Sequence, residues 1–216
     1  MTPCNLVLDF GSVLFAWDRV GLVREAFADL PDDRAADVAR SLFDHQDWLD
    51  FDRGVLDADG VARRAVERLG VTPTAVLWLI ERIGETLTPI PGTLALFEHW
   101  CARRDAGGCE RVYYLSNMST VHADALRRRF PFLQRFDGGV FSSAEHCIKP
   151  DPAIYLLLQD RYALAPADTV FVDDVQANVD AARALGWHAI HFTSAAQTQR
   201  ILEEEYGCAL DVPRCA

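Results

Sequence analysis

The chain has 216 residues, half of them apolar, with 32 acidic against 21 basic side chains and a net charge of −11. A pI near 4.9 leaves no basic stripe to displace phosphate counterions, which argues against a nucleic-acid partner. No window approaches the roughly 20 apolar residues of a membrane span, and Met1-Thr2-Pro3-Cys4 lacks the charged and apolar regions of a leader. These features predict a cytoplasmic monomer or homodimer that engages neither membrane nor nucleic acid. The cysteines (Cys4, Cys101, Cys109, Cys147, Cys208 and Cys215) form no CxxC and no zinc spacing. Free thiols in a reducing compartment are therefore expected, with a Cys208–Cys215 pair as the alternative.

Leu6-Val7-Leu8 is an apolar run that ends on Asp9, within Asp9-Phe10-Gly11-Ser12. It reads as a buried strand with a carboxylate at its C-terminal tip. From 17 to 89 no strand is apparent. Helical patterns run over 20–30, 33–43, 59–69 and 74–85, separated by Pro31-Asp32, Arg53-Gly54, Gly70 and Thr72-Pro73. From about residue 90 helices and strands alternate. A helix follows Pro91-Gly92 and breaks at Gly107-Gly108, and a strand spans 111–115. Ser119 and Thr120 can cap a helix ending at Arg129, whose Arg127-Arg128-Arg129 run reads as a solvated helix end. A strand over 139–143, a helix from Asp151-Pro152, a strand over 169–173, a helix over 176–185, a strand over 188–192 and a helix over 195–206 complete the chain.

This alternation predicts an α/β fold, a Rossmann-like, doubly wound parallel sheet with helices on both faces. Segment 17–89 is then an inserted α-helical cap domain on a discontinuous core of 1–16 and 90–216. An insert placed directly after the first strand is positioned as a lid; a bundle that only pads the sheet is the alternative.

Four polar motifs fall at predicted strand ends: Asp9, Ser116-Asn117, Lys149-Pro150 and Asp173-Asp174. In open α/β sheets these ends form the ligand crevice. A carboxylate, a hydroxyl, an ammonium and a carboxylate pair meeting there make a site for a metal and an anion. Singly, each has a plainer reading as a turn cap, a helix cap or a surface lysine.

Together and in this order, the motifs resemble the haloacid dehalogenase superfamily of phosphohydrolases. The likeness covers nearly the whole chain: Asp9 in D-x-x-x-V-L, Ser116 in L-S-N, Lys149 in K-P-D, and Asp173-Asp174 followed by Asn178, Ala181-Ala182 and Gly186. The helical insert is similar to the family's cap. The D-F-G-S-V-L variant looks most like the subgroup acting on hexose 1-phosphates such as α-D-glucose 1-phosphate.

The resemblance implies a phosphatase of a small phosphate ester, with a sugar phosphate as the expected substrate. Asp9 is the expected nucleophile, since a carboxylate attacks phosphorus without losing a proton and gives an aspartyl-phosphate. Asp9 and the phosphate repel, and a hard dication with oxygen ligands relieves this, which suits Mg²⁺. Asp9 and Asp174 are the expected ligands, with Asp173 as a direct or supporting partner and the Gly11 carbonyl added by the family pattern. Ser116 and the Asn117 amide are expected to hold a phosphoryl oxygen, and Lys149 to face the transferring group from the opposite side.

One position departs from the family pattern. The usual second Asp, two residues after the nucleophile, is Gly11, and the following position, usually Gly, is Ser12. Asp18 and residues of the insert are candidate substitutes for the missing acid; His45, Trp48 and Arg53 are candidates to meet the substrate. Phe10 is expected in the core, and His188 and His191 are not expected as ligands. A 2-haloacid dehalogenase, which needs no acidic metal pair, and a non-catalytic module binding phosphate compounds are the alternatives.

Overall fold

The computed structural model describes residues 2–28 and 30–208. After β1 (Asn5–Leu8) and the two-residue β2 (Phe15–Ala16), the chain makes five helices: α1 (Arg19–Ala26), α2 (Asp32–Phe43), α3 (Gln46–Asp52), α4 (Ala58–Leu69) and α5 (Pro73–Thr86). It returns through β3 (Thr88–Pro89), which pairs antiparallel with β2 at the foot of the insert. Then follow α6 (Pro91–Asp105), β4 (Arg111–Ser116), α7 (Thr120–Arg129), β5 (Gly138–Phe141), α8 (Ser142–Glu145), α9 (Pro152–Tyr162), β6 (Thr169–Asp173), α10 (Gln176–Ala184), β7 (His188–His191) and α11 (Ala195–Glu204).

The five long strands form one parallel sheet in the order β5-β4-β1-β6-β7. β1 lies at its centre, so Leu6, Val7 and Leu8 are all fully buried, as a strand covered on both faces requires. Side-chain alternation sends Leu6 and Leu8 to one face and Val7 to the other. Leu6, Leu8 and Phe10 share an apolar cluster with Leu42, Trp48, Leu79 and Ile80 of the insert. Val7 packs instead with Leu115, Ile154, Tyr155 and Val179 on the α9–α10 side. Phe10 is buried against Phe15, Tyr114, Phe136 and Phe141, as expected.

Several boundaries differ from the sequence expectation. The third predicted strand stops at Phe141, because Ser142 turns its hydroxyl to the Met118 amide and the Asp52 carbonyl and opens α8. α3 has no counterpart in the prediction. Its sequence holds three aspartates in seven residues, a weak helix former. Tertiary contacts hold it instead: Trp48 and Phe51, one turn apart, are buried, and Asp47 accepts from Arg64 (2.9 Å) and Arg68 (2.6 Å) of α4. The run of three arginines is not wholly solvated, since Arg129 donates to the Gly84 carbonyl of α5 at 2.6 Å and Arg127 lies over the Phe141 ring.

The expectation that every cysteine is a free thiol is corrected. Cys4 and Cys109 form a disulfide with Cα atoms 5.7 Å apart. They lead into β1 and β4, which are neighbours in the sheet, so strand pairing brings together residues 105 apart. Cys101, Cys147 and Cys208 are free, and Cys215 lies outside the described residues, as does the alternative Cys208–Cys215 pair. No helix among the described residues is long and apolar enough to cross a membrane.

Candidate active site

β1 ends at Leu8, level with Tyr114 of β4 and Val172 of β6, so Asp9 emerges between the C-terminal tips of those two strands. Its amide donates to the Val172 carbonyl at 3.0 Å, and its Oδ1 accepts from the Phe10 amide at 2.7 Å. The chain then turns sharply. Leu14 and Phe15 donate back to the Phe10 carbonyl, and Ser12 adopts φ +59°, the left-handed region that favours glycine. That turn aims the Ser12 hydroxyl at the Asp174 carboxylate.

Lys149 is 3% exposed, and its ammonium sits among three fixed acceptors. These are Asp173 Oδ2 at 2.6 Å, the Leu115 carbonyl at 2.9 Å and Asp9 Oδ1 at 3.0 Å. Burial pulls its pKa down, but the charges of Asp173 and Asp9 outweigh that and hold it raised, so it stays an ammonium. Asn117 clamps the Lys149 backbone, its Nδ2 donating to the Lys149 carbonyl (3.0 Å) and its Oδ1 accepting from the Lys149 amide (2.8 Å). The Lys149–Pro150 peptide is cis. Ser116 closes β4 and lines the same chamber as Asp9 and Lys149. Asn117 thus has a side-chain task that its sequence context did not reveal.

Asp173 is fully buried and its oxygens are already engaged: Oδ1 accepts from the Val175 amide and Asn178 Nδ2, Oδ2 from Lys149 and Asn178. Asp174 is less enclosed and faces the chamber. Its backbone carbonyl accepts from His191 Nε2 at 2.9 Å, so His191 on β7 positions the loop that bears Asp174.

One oxygen from each of Asp9, Asp173 and Asp174 lies within 4.8 Å of the others. Three carboxylates face one ammonium, which leaves excess negative charge in a buried place. Burial raises the Asp9 carboxyl to about 7; Lys149 opposes this, while Asp173 and Asp174 add to it. Burial and the Asp173 charge also raise Asp174. A divalent cation suits this donor set, because it supplies the missing positive charge to hard oxygen ligands. Asp9 and Asp174 are the carboxylates with oxygens to spare, and Gly11 lies on the chamber wall beside them.

The insert roofs the chamber with Trp17, Phe43, Trp48, Ile83 and Leu87, and Met118 adds to the wall from the core side. Arg19 pairs with Asp44 at 2.5 Å, and His122 with both Ser119 Oγ (3.0 Å) and the Ile80 carbonyl (2.8 Å), whereas Trp17 Nε1 and Arg19 Nε are buried without a hydrogen-bond partner among the described residues. Of the three residues expected to meet a substrate, Trp48 reaches this wall. His45 caps α3 by accepting from the Asp47 amide, and Arg53 pairs with Asp50 at 2.9 Å. Asp18 caps α1 through the Gly21 amide and does not line the chamber. A residue absent from the sequence reading, Asp52 at the end of α3, does line it.

Residues 6–186 match the haloacid dehalogenase-like hydrolase family. The chain is similar to the sesquiterpene phosphatase astK of Aspergillus oryzae, at 25% identity over 202 residues, 94% of this chain and 96% of that protein. A shorter stretch is similar to the phosphorylated carbohydrates phosphatase of Thermotoga maritima, at 36% identity over 84 residues, 38% of this chain and 39% of that protein. Among solved structures, the HAD family enzyme bt-2542 of Bacteroides thetaiotaomicron, in complex with magnesium and inorganic phosphate, has a similar fold. The TM-score is 0.65 at 21% identity, covering 86% of this chain and 92% of that one. With the family match spanning most of its length and a parallel sheet that gathers the matching motifs at one end, this chain belongs to the haloacid dehalogenase-like hydrolases.

Proposed function

We propose that the protein is a Mg²⁺-dependent phosphatase that hydrolyses a small phosphate monoester through an aspartyl-phosphate on Asp9. The observation that carries this reading is the meeting of Asp9, Asp173 and Asp174 within 4.8 Å, with the Lys149 ammonium 3.0 Å from Asp9. Asp9 attacks phosphorus, and Lys149 balances negative charge on the transferring group. Ser116 and the Asn117 amide bind a phosphoryl oxygen, while Asp173 holds Lys149 and Asn178 in register. Asp9, Asp174 and the Gly11 carbonyl would hold Mg²⁺, which would supply the positive charge that lets a carboxylate approach a phosphate. Segment 17–89 serves as the cap and 1–16 with 90–216 as the core.

For the organic part of the ester, the chamber wall favours an apolar group. Trp17, Phe43, Trp48, Leu87 and Met118 offer apolar surface, Arg19 is tied to Asp44 and His122 to the Ile80 carbonyl, and Trp17 Nε1 and Arg19 Nε are buried donors left without a partner among the described residues. The similarity to a sesquiterpene phosphatase over nearly the whole chain points the same way. A sugar phosphate is the second reading, supported by the shorter similarity to a phosphorylated carbohydrates phosphatase. The cytoplasmic expectation is set against the Cys4–Cys109 disulfide, since such bonds persist in oxidising surroundings.

The test is phosphate release from a prenyl monophosphate, p-nitrophenyl phosphate and glucose 1-phosphate, with Mg²⁺ or EDTA. Wild-type protein should turn over with Mg²⁺ and stop with EDTA, and Asp9→Asn should lose activity in both. Turnover in EDTA, or retained in Asp9→Asn, refutes the mechanism. Metal-free chloride release from 2-chloropropionate would instead establish the dehalogenase alternative.

A further inference from the structure

Splitting a phosphate monoester leaves an alkoxide that needs a proton, and the second step needs a base to draw a proton from water. Gly11 has no side chain to serve either step. Its backbone is not the obstacle, since a Cβ there would meet nothing nearer than the Trp17 ring at 3.7 Å. Asp18 caps α1 and does not line the chamber, and His122 donates Nε2–H to a carbonyl while its Nδ1 accepts from Ser119.

We propose that Asp52, carried by the insert, gives the proton to the departing oxygen and takes one back from the attacking water. This inference rests on the phosphatase reading above. Asp52 lines the chamber that holds Asp9, Ser116, Lys149 and Asp174. Its place is fixed by the core rather than by α3 alone. Ser142 Oγ donates to the Asp52 carbonyl at 2.5 Å, and His146 Nδ1 donates to the next carbonyl, Arg53, at 3.2 Å. Gly54, at φ +76°, lets the chain pass so close to the Ser143 carbonyl that a Cβ would collide with it. Three consecutive residues at the end of α3 are thus seated on α8, next to the tip of β5.

The surroundings disfavour the charged form of this carboxyl. Burial pushes Asp52 well above the usual carboxylate range; the Ser119 amide opposes this, the Asp9 charge adds to it, and the Trp48 indole and Lys149 oppose it more weakly. Arg53, the adjacent cation, is engaged with Asp50.

The steps balance. Asp9 Oδ attacks phosphorus, the bond from phosphorus to the ester oxygen breaks, and that oxygen takes the Asp52 proton to leave as an alcohol. Water then attacks the aspartyl-phosphate and gives its proton to the Asp52 carboxylate. The phosphorus–Asp9 bond breaks, releasing phosphate and restoring both carboxyl groups. A carboxyl that merely tied the insert to the start of α7 would do none of this.

The experiment measures kcat/KM with Mg²⁺ for p-nitrophenyl, phenyl and benzyl phosphates, which differ mainly in how badly the leaving oxygen needs a proton. Wild-type protein should depend weakly on the leaving group. Asp52→Asn should lose about 10²–10⁴-fold on benzyl phosphate, the usual size of an acid–base contribution, and less than tenfold on p-nitrophenyl phosphate. Asp52→Glu should recover most of the wild-type ratio between the two esters. That ratio is independent of how much of a variant folds. Equal losses on all three esters, no loss at all, or a steep dependence already in wild type would overturn the role of Asp52. Wild-type protein inactive on every ester would overturn the phosphatase reading itself, and the inference with it.

Discussion

Lys149 is the residue whose loss should be felt most widely. Its ammonium is the counter-charge to Asp9 and Asp173, both buried, and its backbone is clamped by Asn117. Removing one partner of a buried ion pair leaves an uncompensated charge in a poorly solvated place, at a cost of about 3–5 kcal/mol. Lys149→Met should therefore lower unfolding free energy by that order in urea titrations at pH 7 with EDTA, and abolish turnover. Adding Asp9→Asn should recover part of the stability and none of the activity, because it removes one of the stranded charges. No recovery would mean that Lys149 stabilises through packing alone. At this scale the sequence was informative where a polar residue ends an apolar strand, as at Asp9, Ser116 and Asp173. It was silent where a role depends on a partner far along the chain. Asn117 meets Lys149 across 32 residues, and His191 meets the Asp174 carbonyl across 17.

Between elements, His122 joins the insert to the core. It sits on α7, donates Nε2–H to Ile80 of α5 and packs against Trp48 and Phe51 of α3. Burial lowers its pKa from 6.5 to about 4, so it is neutral in the folded protein at pH 7. Between these values the unfolded chain binds a proton that the folded chain refuses. Stability is therefore full above about 6.5 and is lost as pH falls toward 4. The full interval is worth about 3 kcal/mol at ~1.4 kcal/mol per unit. Unfolding free energies of wild type and His122→Asn at pH 7 and pH 4.5 should show a steeper acid loss in wild type; equal slopes would mean that His122 is not buried neutral. The central sheet was legible because parallel strands buried on both faces read as continuous apolar runs. α3 was not, because its aspartates disfavour helix until Arg64 and Arg68 of α4 engage Asp47. Missing α3 also hid Asp52, whose position is set by docking onto α8 rather than by any local pattern.

For the whole molecule, the Cys4–Cys109 bond closes a ring containing β1, the nucleophile loop, the entire insert and α6, and leaves β4 to α11 outside. Cross-linking residues 105 apart restricts the unfolded chain strongly, and native bonds of this kind contribute about 2–4 kcal/mol. The bond lies at the N-terminal edge of the sheet. Asp9 is five residues further on, about 16 Å along a strand at ~3.3 Å per residue. Stability and chemistry should therefore separate. Reduction with dithiothreitol, or the double variant Cys4→Ala/Cys109→Ala, should lower unfolding free energy by about 2–4 kcal/mol. Phosphate release at 25 °C should stay within about twofold, since RT ln 2 corresponds to only ~0.4 kcal/mol at the site. A large loss of turnover with folding intact would show that the two edges of the sheet are coupled, with the ring holding the insert over the strand tips. An unchanged denaturation midpoint would show that β1–β4 pairing alone already fixes the ring.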